Sequence, residues 1–133
     1  MNAFTLEIRD ATRGQRIDGV SSFVGEDASG SFGLKAGHGR FMTTLNSGLA
    51  RYRVADGDWQ YLAMPAAVLY FTDRRLWIGT RRFLQDSDYD RISRLLREQL
   101  LAEEQALEET RLSLRRMEEA LLRRLWQVGQ EQG

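Results

Sequence analysis

The chain has 133 residues, of which 42% are hydrophobic and 29% are charged, enough to bury a core as one domain or two small ones. Its 19 basic and 19 acidic side chains cancel, so no overall positive field attracts nucleic acid or an anionic membrane surface. The absence of cysteine excludes disulfides, thiolate zinc sites and a thiol nucleophile.

Residues 1–85 alternate apolar and polar side chains between turn signals, a pattern that predicts short β-strands such as "FTLEIR". The segments "LARYRV" and "WQYLAM" flank Asp56-Gly57, a dipeptide that supplies the positive φ angles of a tight hairpin. A second hairpin is predicted for "AVLYF" and "LWIGT" around "TDRR", and Asn46-Ser47-Gly48 predicts a further turn. Several short strands at this spacing predict an antiparallel β-sandwich.

The segment Gly25–Gly48 contains six glycines and the only histidine of the chain, His38. It lacks the Gly-Lys-Ser/Thr signature of a phosphate-binding loop and opens no predicted helix. A metal site or general base at His38 has no second histidine, no cysteine and no carboxylate at ligand spacing to support it. From the residues alone, glycines that permit tight turns between strands are the commoner explanation, and nothing points to catalysis.

Residues 86–133 differ in composition from residues 1–85. The segment from Asp86 to Val128 contains no glycine, proline or asparagine and is rich in Leu, Arg, Glu and Gln. This composition predicts a helical domain after the β-domain, in an α+β fold. Ser87 and Asp90 resemble a capping box at the start of the helix, and Gly129 is where we expect it to end.

An apolar stripe at three-four spacing runs along this predicted helix, through Ile92, Leu96, Leu100, Leu107, Leu114, Met117, Leu121, Leu125 and Val128. A single helix of this length would reach roughly 60 Å, too long for a small sandwich to cover. We therefore expect either a helical hairpin that turns near Glu103 to Thr110, or one long helix along a partner. The heptad spacing of Leu100 to Val128 also allows an alternative, a freestanding adaptor that dimerises through a C-terminal coiled coil.

A β-domain with "GSFGLKAGH" followed by a charged helical tail resembles the epsilon subunit of the rotary F-type ATP synthase. Gly30–His38 is similar to the glycine-rich segment of that family, which ends in Leu-Pro-Gly-His, and "TTLNSGLARYRV" is similar to the strand region that follows. Two departures are Ala36 in place of the family proline and "PAAV" in place of a glycine pair. They favour a divergent member, or one of the alternate sodium-coupled type, and leave the coupling ion open.

The resemblance implies a non-catalytic central-stalk subunit with the gamma subunit, the c-subunit ring and the alpha and beta subunits as partners. It places the protein at the cytoplasmic face of the bacterial inner membrane, held there by the complex. Direct insertion is not expected, because the N-terminus lacks a signal pattern and no apolar run approaches a membrane span.

The resemblance also assigns residues. It implies docking on the c ring by Gly37, His38, Gly39 and Arg40, and restraint of ATP hydrolysis by a basic helical segment that faces an acidic segment of beta. The basic residues concerned are Arg115, Arg116, Arg123 and Arg124. Solvated arginines that pair weakly along the helix explain that segment equally well.

Some family members bind ATP through an Asp-x-x-Arg-Ala segment at the first helix. This chain keeps Asp88 and Arg91 but loses the flanking residues of that motif. Capping and the helix dipole account for such a pair as well as nucleotide binding does. We therefore expect no bound cofactor and no metal.

Overall fold

The computed structural model describes residues 2–132, which form nine β-strands followed by one α-helix. The alternation of apolar and polar residues produces the strands, and the glycine-free, leucine-rich segment produces the helix. The elements are β1 Phe4–Arg9, β2 Gly14–Asp27, β3 Gly30–Leu34, β4 Phe41–Leu45, β5 Gly48–Val54, β6 Gln60–Met64, β7 Ala67–Thr72, β8 Arg75–Gly79, β9 Leu84–Asp86 and α1 Tyr89–Gln132. The predicted α+β class, with a sandwich and a C-terminal helix, is confirmed.

The strands form one continuous hydrogen-bonded sheet in the order β1-β8-β7-β4-β2-β5-β6-β9, with β3 also paired to β2. The sheet folds into two layers because the long strand β2 takes part in both. Its first half pairs with β1, and its second half pairs with β3 and β5. Among the described strands, β1 and β8 form the one parallel pair, and all other pairs are antiparallel.

The core lies between the two layers and consists of the inward apolar residues of the strands. Phe23, Leu69 and Phe71 are fully buried within it. The Phe71 ring meets the edge of the Phe4 ring with centroids 5.4 Å apart, an arrangement that favours attraction between aromatic quadrupoles. The inward residues predicted for the first strand, such as Leu6, are buried as expected.

Both predicted hairpins form, β5-β6 and β7-β8, but the first turn uses a different residue than expected. The positive φ angle belongs to Ala55, at 53°, and not to Asp56 or Gly57. The Gly57 amide instead donates to the Val54 carbonyl at 3.0 Å. In the second turn, Asp73 and Arg74 take positive φ values without any glycine.

The helix is a single continuous element, which decides between the two predicted forms of the tail. Its N-cap is Asp88 and not Ser87, since the Asp88 carboxylate accepts the Arg91 backbone N–H at 3.1 Å. The predicted capping box is therefore wrong. The predicted end at Gly129 is also wrong, because the helix continues to Gln132 without adopting the left-handed conformation that ends many helices.

The chain divides into two compact units, one that runs to Leu96 and one that starts at Arg97. The first unit includes the opening turns of α1 as well as the sandwich. There Ile92 is fully buried, and the Tyr89 ring meets the Tyr61 ring of β6 with centroids 5.3 Å apart. The first turns of the helix are thus part of the folded β-unit.

Candidate functional site

The loop that connects β3 to β4, Lys35 to Arg40, carries the predicted docking residues. A turn forms where the His38 amide donates to the Lys35 carbonyl at 2.9 Å. Ala36 points inward and is buried, whereas Gly37 and the three residues after it are exposed. The structure therefore brings the four predicted docking residues together on one exposed loop.

His38 is exposed to solvent, but its ring is held in place from two sides. Its Nδ1 lies 2.8 Å from the Gly39 carbonyl oxygen. The ring also meets the edges of Phe41, at 5.5 Å between centroids, and Phe71, at 6.0 Å. These contacts tie an exposed imidazole to the aromatic core, so the loop presents it in a fixed orientation.

The two glycines of the loop have no evident structural need within the described chain. Neither Gly37 nor Gly39 has a positive φ, and a Cβ added at either would meet nothing within 4 Å. By contrast, Gly30 and Gly48 have φ values of 119° and 152°. Glycine is thus required by backbone conformation at the starts of β3 and β5, whereas at the loop it leaves the backbone open to close approach from outside.

A cavity of about 320 Å³ lies beside the loop. Its walls come from β2, β3 and the loop itself: Ser22, Gly33, Leu34, Lys35, Gly37 and His38. These lining residues combine mostly apolar surface with one cation and one imidazole and contain no carboxylate.

A row of exposed apolar side chains crosses the neighbouring strands β4, β7 and β8, and sequence reasoning missed it. Met42 pairs with Tyr70, and Tyr70 pairs with Trp77, so the three side chains point to the same side of the sheet. Met42 is 67% exposed, Val68 53% and Trp77 37%. Apolar residues at outward positions of "FMTTL", "AVLYF" and "RLWIG" were the available signal. Such a row marks a surface suited to a protein partner.

The weakly supported nucleotide pair, Asp88 and Arg91, is engaged in local interactions at the start of α1. Asp88 caps the helix, and the Arg91 guanidinium makes two hydrogen bonds to the Asp86 carboxylate, at 2.5 and 2.7 Å. The Arg91 side chain, with the backbone N–H of Asp88, lowers the pKa of Asp86 to about 2. Capping and ion pairing thus account for both residues locally.

The basic residues assigned to inhibition all lie in the second unit, on the helix. Arg115, Arg116, Arg123 and Arg124 are exposed, as is the apolar stripe beside them. Nearby, Arg111 and Glu108 form an ion pair with 3.8 Å between nitrogen and oxygen, and both side chains are largely in solvent. A pair of this kind contributes little to stability.

The fold and the exposed loop define a class of small β-sandwich domain that precedes a helical extension. Within residues 2–132, no helix combines the length and the apolar character needed to cross a membrane. The model of the beta-sandwich domain of the ATP synthase delta/epsilon chain matches residues 3–85. The chain therefore belongs to the ATP synthase delta/epsilon family.

A curated relative supports the same assignment. The chain is 35% identical over 95 residues to a protein of Cereibacter sphaeroides named ATP synthase epsilon chain 2. The match covers 71% of this chain and 65% of the length of that relative. Together with the family match, it confirms the resemblance to an epsilon subunit that "GSFGLKAGH" indicated.

Two cryo-EM structures of mitochondrial ATP synthases contain chains with a similar fold. One is the central stalk and c ring of Tetrahymena thermophila, with a TM-score of 0.53 at 12% identity over 61% of this chain and 65% of that one. The other is the OSCP/F1/c-ring assembly of Euglena gracilis in rotational state 1, with a TM-score of 0.58 at 16% identity over 72% and 62%. At these identities the likeness shows the fold alone.

Proposed function

We propose that the protein is a non-catalytic, epsilon-type subunit of the central stalk of an ATP synthase. The match of the delta/epsilon β-sandwich model over residues 3–85 carries this proposal. In the proposal, the sandwich couples the gamma shaft to the c ring, and the helix restrains ATP hydrolysis by the alpha and beta subunits. The protein is then peripheral, at the cytoplasmic face of a bacterial inner membrane.

The apolar row of β4, β7 and β8 is the surface that we assign to gamma. Met42, Val68 and Trp77 are exposed although they lie on ordered strands, and burying them against a partner would remove apolar area from water. Arg75 extends over the Trp77 ring, with 6.0 Å to its centroid, and adds a cation at the edge of the row. An apolar centre with a charged edge is typical of a stable protein interface.

The loop Lys35 to Arg40 is the surface that we assign to the c ring. Its glycines permit a partner backbone to approach, and His38 and Arg40 supply polar contacts. A double charge reversal tests this assignment. We expect His38→Glu with Arg40→Glu to weaken binding to detergent-solubilised c ring. The unfolding temperature should fall only slightly, because both side chains are exposed and the ring contacts of His38 with Phe41 and Phe71 are the interactions lost.

The control for this experiment reverses two exposed arginines at the other end of the sandwich. Arg9 and Gly79 pair at the C-terminal ends of β1 and β8, and Arg81 lies two residues after Gly79. We expect Arg9→Glu with Arg81→Glu to bind the c ring like the unmodified protein. Equal weakening by both double variants would mean that net charge and not the loop controls binding, and a loss of folding in the loop variant would make the loop a structural turn.

The helical tail is the part that we assign to inhibition. Deleting residues 97–133 removes the second unit and keeps the buried Ile92, so the sandwich remains whole. We expect this deletion to raise ATP hydrolysis by the assembled enzyme without preventing assembly. Replacing Arg115, Arg116, Arg123 and Arg124 by alanine should raise hydrolysis in part, because alanine keeps helix propensity but removes the charge.

The matched control replaces the same four arginines by lysine, which keeps the charge. Lysine variants that inhibit like the natural sequence would show that charge carries the contact. Equal hydrolysis rates for the full-length and shortened subunits, measured at the same salt concentration, would contradict the inhibitory role.

A further inference from the structure

The tail, residues 97–132 of α1, presents its apolar stripe to solvent. Leu107, Leu114 and Leu121 are each about 60% exposed, and they recur every seven residues with Leu100 and Val128. Covering the stripe with a second helix would remove its leucines from water and would therefore stabilise the tail. The charges beside the stripe show which partner fits.

Charge is segregated along the tail. Residues 98–109 contain five glutamates and no basic residue, whereas residues 110–124 contain five arginines and two glutamates. An acidic half is therefore followed by a basic half on the same helix. A partner with the same layout in the reverse direction is electrostatically complementary to it, and a second copy of this chain supplies that layout.

The heptad positions make the direction specific. When Leu100, Leu107, Leu114 and Leu121 occupy position a, position d is filled by Glu103, Thr110, Met117 and Arg124. Two parallel helices in register would then place Glu103 against Glu103 and Arg124 against Arg124. The flanking g and e positions, which hold residues such as Gln99 and Glu104, offer no opposite-charge pair to offset this repulsion.

An antiparallel arrangement, with its two-fold axis between Glu108 and Glu109, removes those like-charge contacts and places Glu103 opposite Leu114 of the second copy. It places Leu100 against Met117 of the second copy and Leu107 against Thr110. At the e positions, Glu104 faces Arg111 of the second copy, and the two-fold axis repeats the contact. The other flank brings together the small residues Ala106 and Ser113, which permits close approach.

We propose that the tails of two free chains pair antiparallel through residues 97–120, with Glu104 of each copy facing Arg111 of the other. This inference does not rest on the proposed function, because it concerns the chain before it meets other subunits. It does have a consequence for that function. The stripe that pairs with a second copy is the stripe that would lie along other subunits, so the free dimer and the inhibitory position exclude each other.

Cysteine cross-linking tests the direction of pairing, since the natural chain has no cysteine. We expect a mixture of Leu100→Cys and Met117→Cys full-length chains to form a disulfide-linked dimer under mild oxidation. Neither variant should form a disulfide-linked dimer alone, because in the antiparallel pair residue 100 of one chain lies far from residue 100 of the other, and the same holds for residue 117. Efficient cross-linking of Leu100→Cys with itself would demonstrate parallel pairing and overturn the proposal.

Charge exchange gives an independent test that leaves the leucines in place. Glu104→Arg and Arg111→Glu should each weaken self-association roughly tenfold at low salt, since each turns two attractive contacts into repulsive ones. Mixing the two variants should restore association, because the Glu104→Arg side chain of one chain then faces the Arg111→Glu side chain of the other. The measurement is sedimentation equilibrium of the full chain over a concentration series.

Two outcomes of this series would overturn the proposal. One is a failure of the mixture to associate more tightly than either variant alone. The other is a natural chain that stays monomeric at every concentration, while a single chain with both Leu100→Cys and Met117→Cys cross-links internally. That second outcome would show that the tail folds back on itself as a hairpin.

Discussion

The sandwich unit and the helical tail use apolar residues in opposite ways. Phe23, Leu69 and Phe71 are fully buried between the two layers of the sandwich, whereas Leu114 and Leu121 of the tail are about 60% exposed. The sandwich therefore contains the partners of its own side chains. The tail is an amphipathic helix whose apolar stripe is exposed, and a helix of this kind is stabilised when that stripe packs against another surface.

The largest effect that separates the two units is the cost of removing one leucine. We expect Leu69→Ala to lower the free energy of unfolding by about 2–5 kcal/mol, because it leaves a cavity in a close-packed core. The matched control, Leu112→Ala, lies on the tail away from the stripe and is exposed, so we expect a change of about 0.5 kcal/mol or less. Urea denaturation of the full chain measures both.

Similar losses for the two variants would contradict the comparison. They would mean that Leu112 is covered in solution and that the tail has a hidden contact.

The position at which the sandwich unit ends gives the next effect. The sequence predicts a boundary after Gln85, and the compact unit runs to Leu96. We expect a chain that ends at Leu96 to unfold cooperatively like the full protein. A chain that ends at Gln85 should be less stable by about 1.5–3 kcal/mol, since it loses the fully buried Ile92.

Circular dichroism with urea titration checks the two shortened chains. Equal stability would favour the predicted boundary after Gln85 and would mean that the first turns of α1 contribute nothing to the sandwich unit. A chain ending at Leu96 that shows no cooperative transition would contradict the independence of the unit itself.

Much of the sandwich could be predicted because its signals are local. The period-two alternation in "FTLEIR" and the breaks between "AVLYF" and "LWIGT" specify strands and hairpins without knowledge of distant residues. Strands β3 and β4 are harder to predict, because they lie within the glycine-rich segment Gly25–Gly48, where glycines obscure the alternation of apolar and polar residues. Strand order, including the parallel pair of β1 and β8, depends on contacts that are far apart in sequence.

The turn and cap residues show a different limit. Ala55 and Arg74 take positive φ values that their residue types do not favour, because the strands on either side fix the turn geometry, whereas aspartate, as at Asp73, tolerates this conformation. Asp88, and not Ser87, is the N-cap residue of α1. Asp86, two residues earlier, forms the ion pair with Arg91. The candidate loop was found through its family resemblance, whereas the apolar row at Met42 emerges only when three strands are aligned.

A smaller effect distinguishes two kinds of glycine within the sandwich unit. We expect Gly30→Ala to cost about 1–2 kcal/mol of stability, since its φ of 119° is rarely adopted by residues with a Cβ. Gly37→Ala should change stability by less than about 0.5 kcal/mol, because an added Cβ meets nothing within 4 Å. In the proposed function, the same Gly37→Ala variant binds the c ring less tightly.

Thermal unfolding and a c-ring binding assay together decide this comparison. A Gly37→Ala variant that unfolds as easily as Gly30→Ala would make Gly37 a structural turn residue. A Gly37→Ala variant that is as stable as the natural chain and binds the c ring with the same affinity would contradict the proposal that glycine permits close approach of the partner backbone at this position.

The smallest effect concerns the ion pair where the sandwich meets the start of α1. The Arg91 side chain, together with the Asp88 backbone N–H, lowers the folded-state pKa of Asp86 from 3.8 to about 2. A lowered pKa means that the charged carboxylate stabilises the folded state. This contribution is fully present above pH 4 and is lost as the pH falls toward 2.

We therefore expect Asp86→Asn to lower the unfolding temperature at pH 7, and the difference from the natural chain to shrink between pH 4 and pH 2. The matched control is Asp90→Asn, which removes an acidic residue from the first turn of α1 but has no role in this pair. At pH 7, Asp86→Asn should lower the unfolding temperature more than Asp90→Asn does. Asparagine can still accept a hydrogen bond from the Asp88 backbone N–H but cannot form the ion pair with Arg91, so the difference between the two chains reports the charge. A pH-independent difference for Asp86→Asn would therefore contradict a stabilising role for the Asp86 charge.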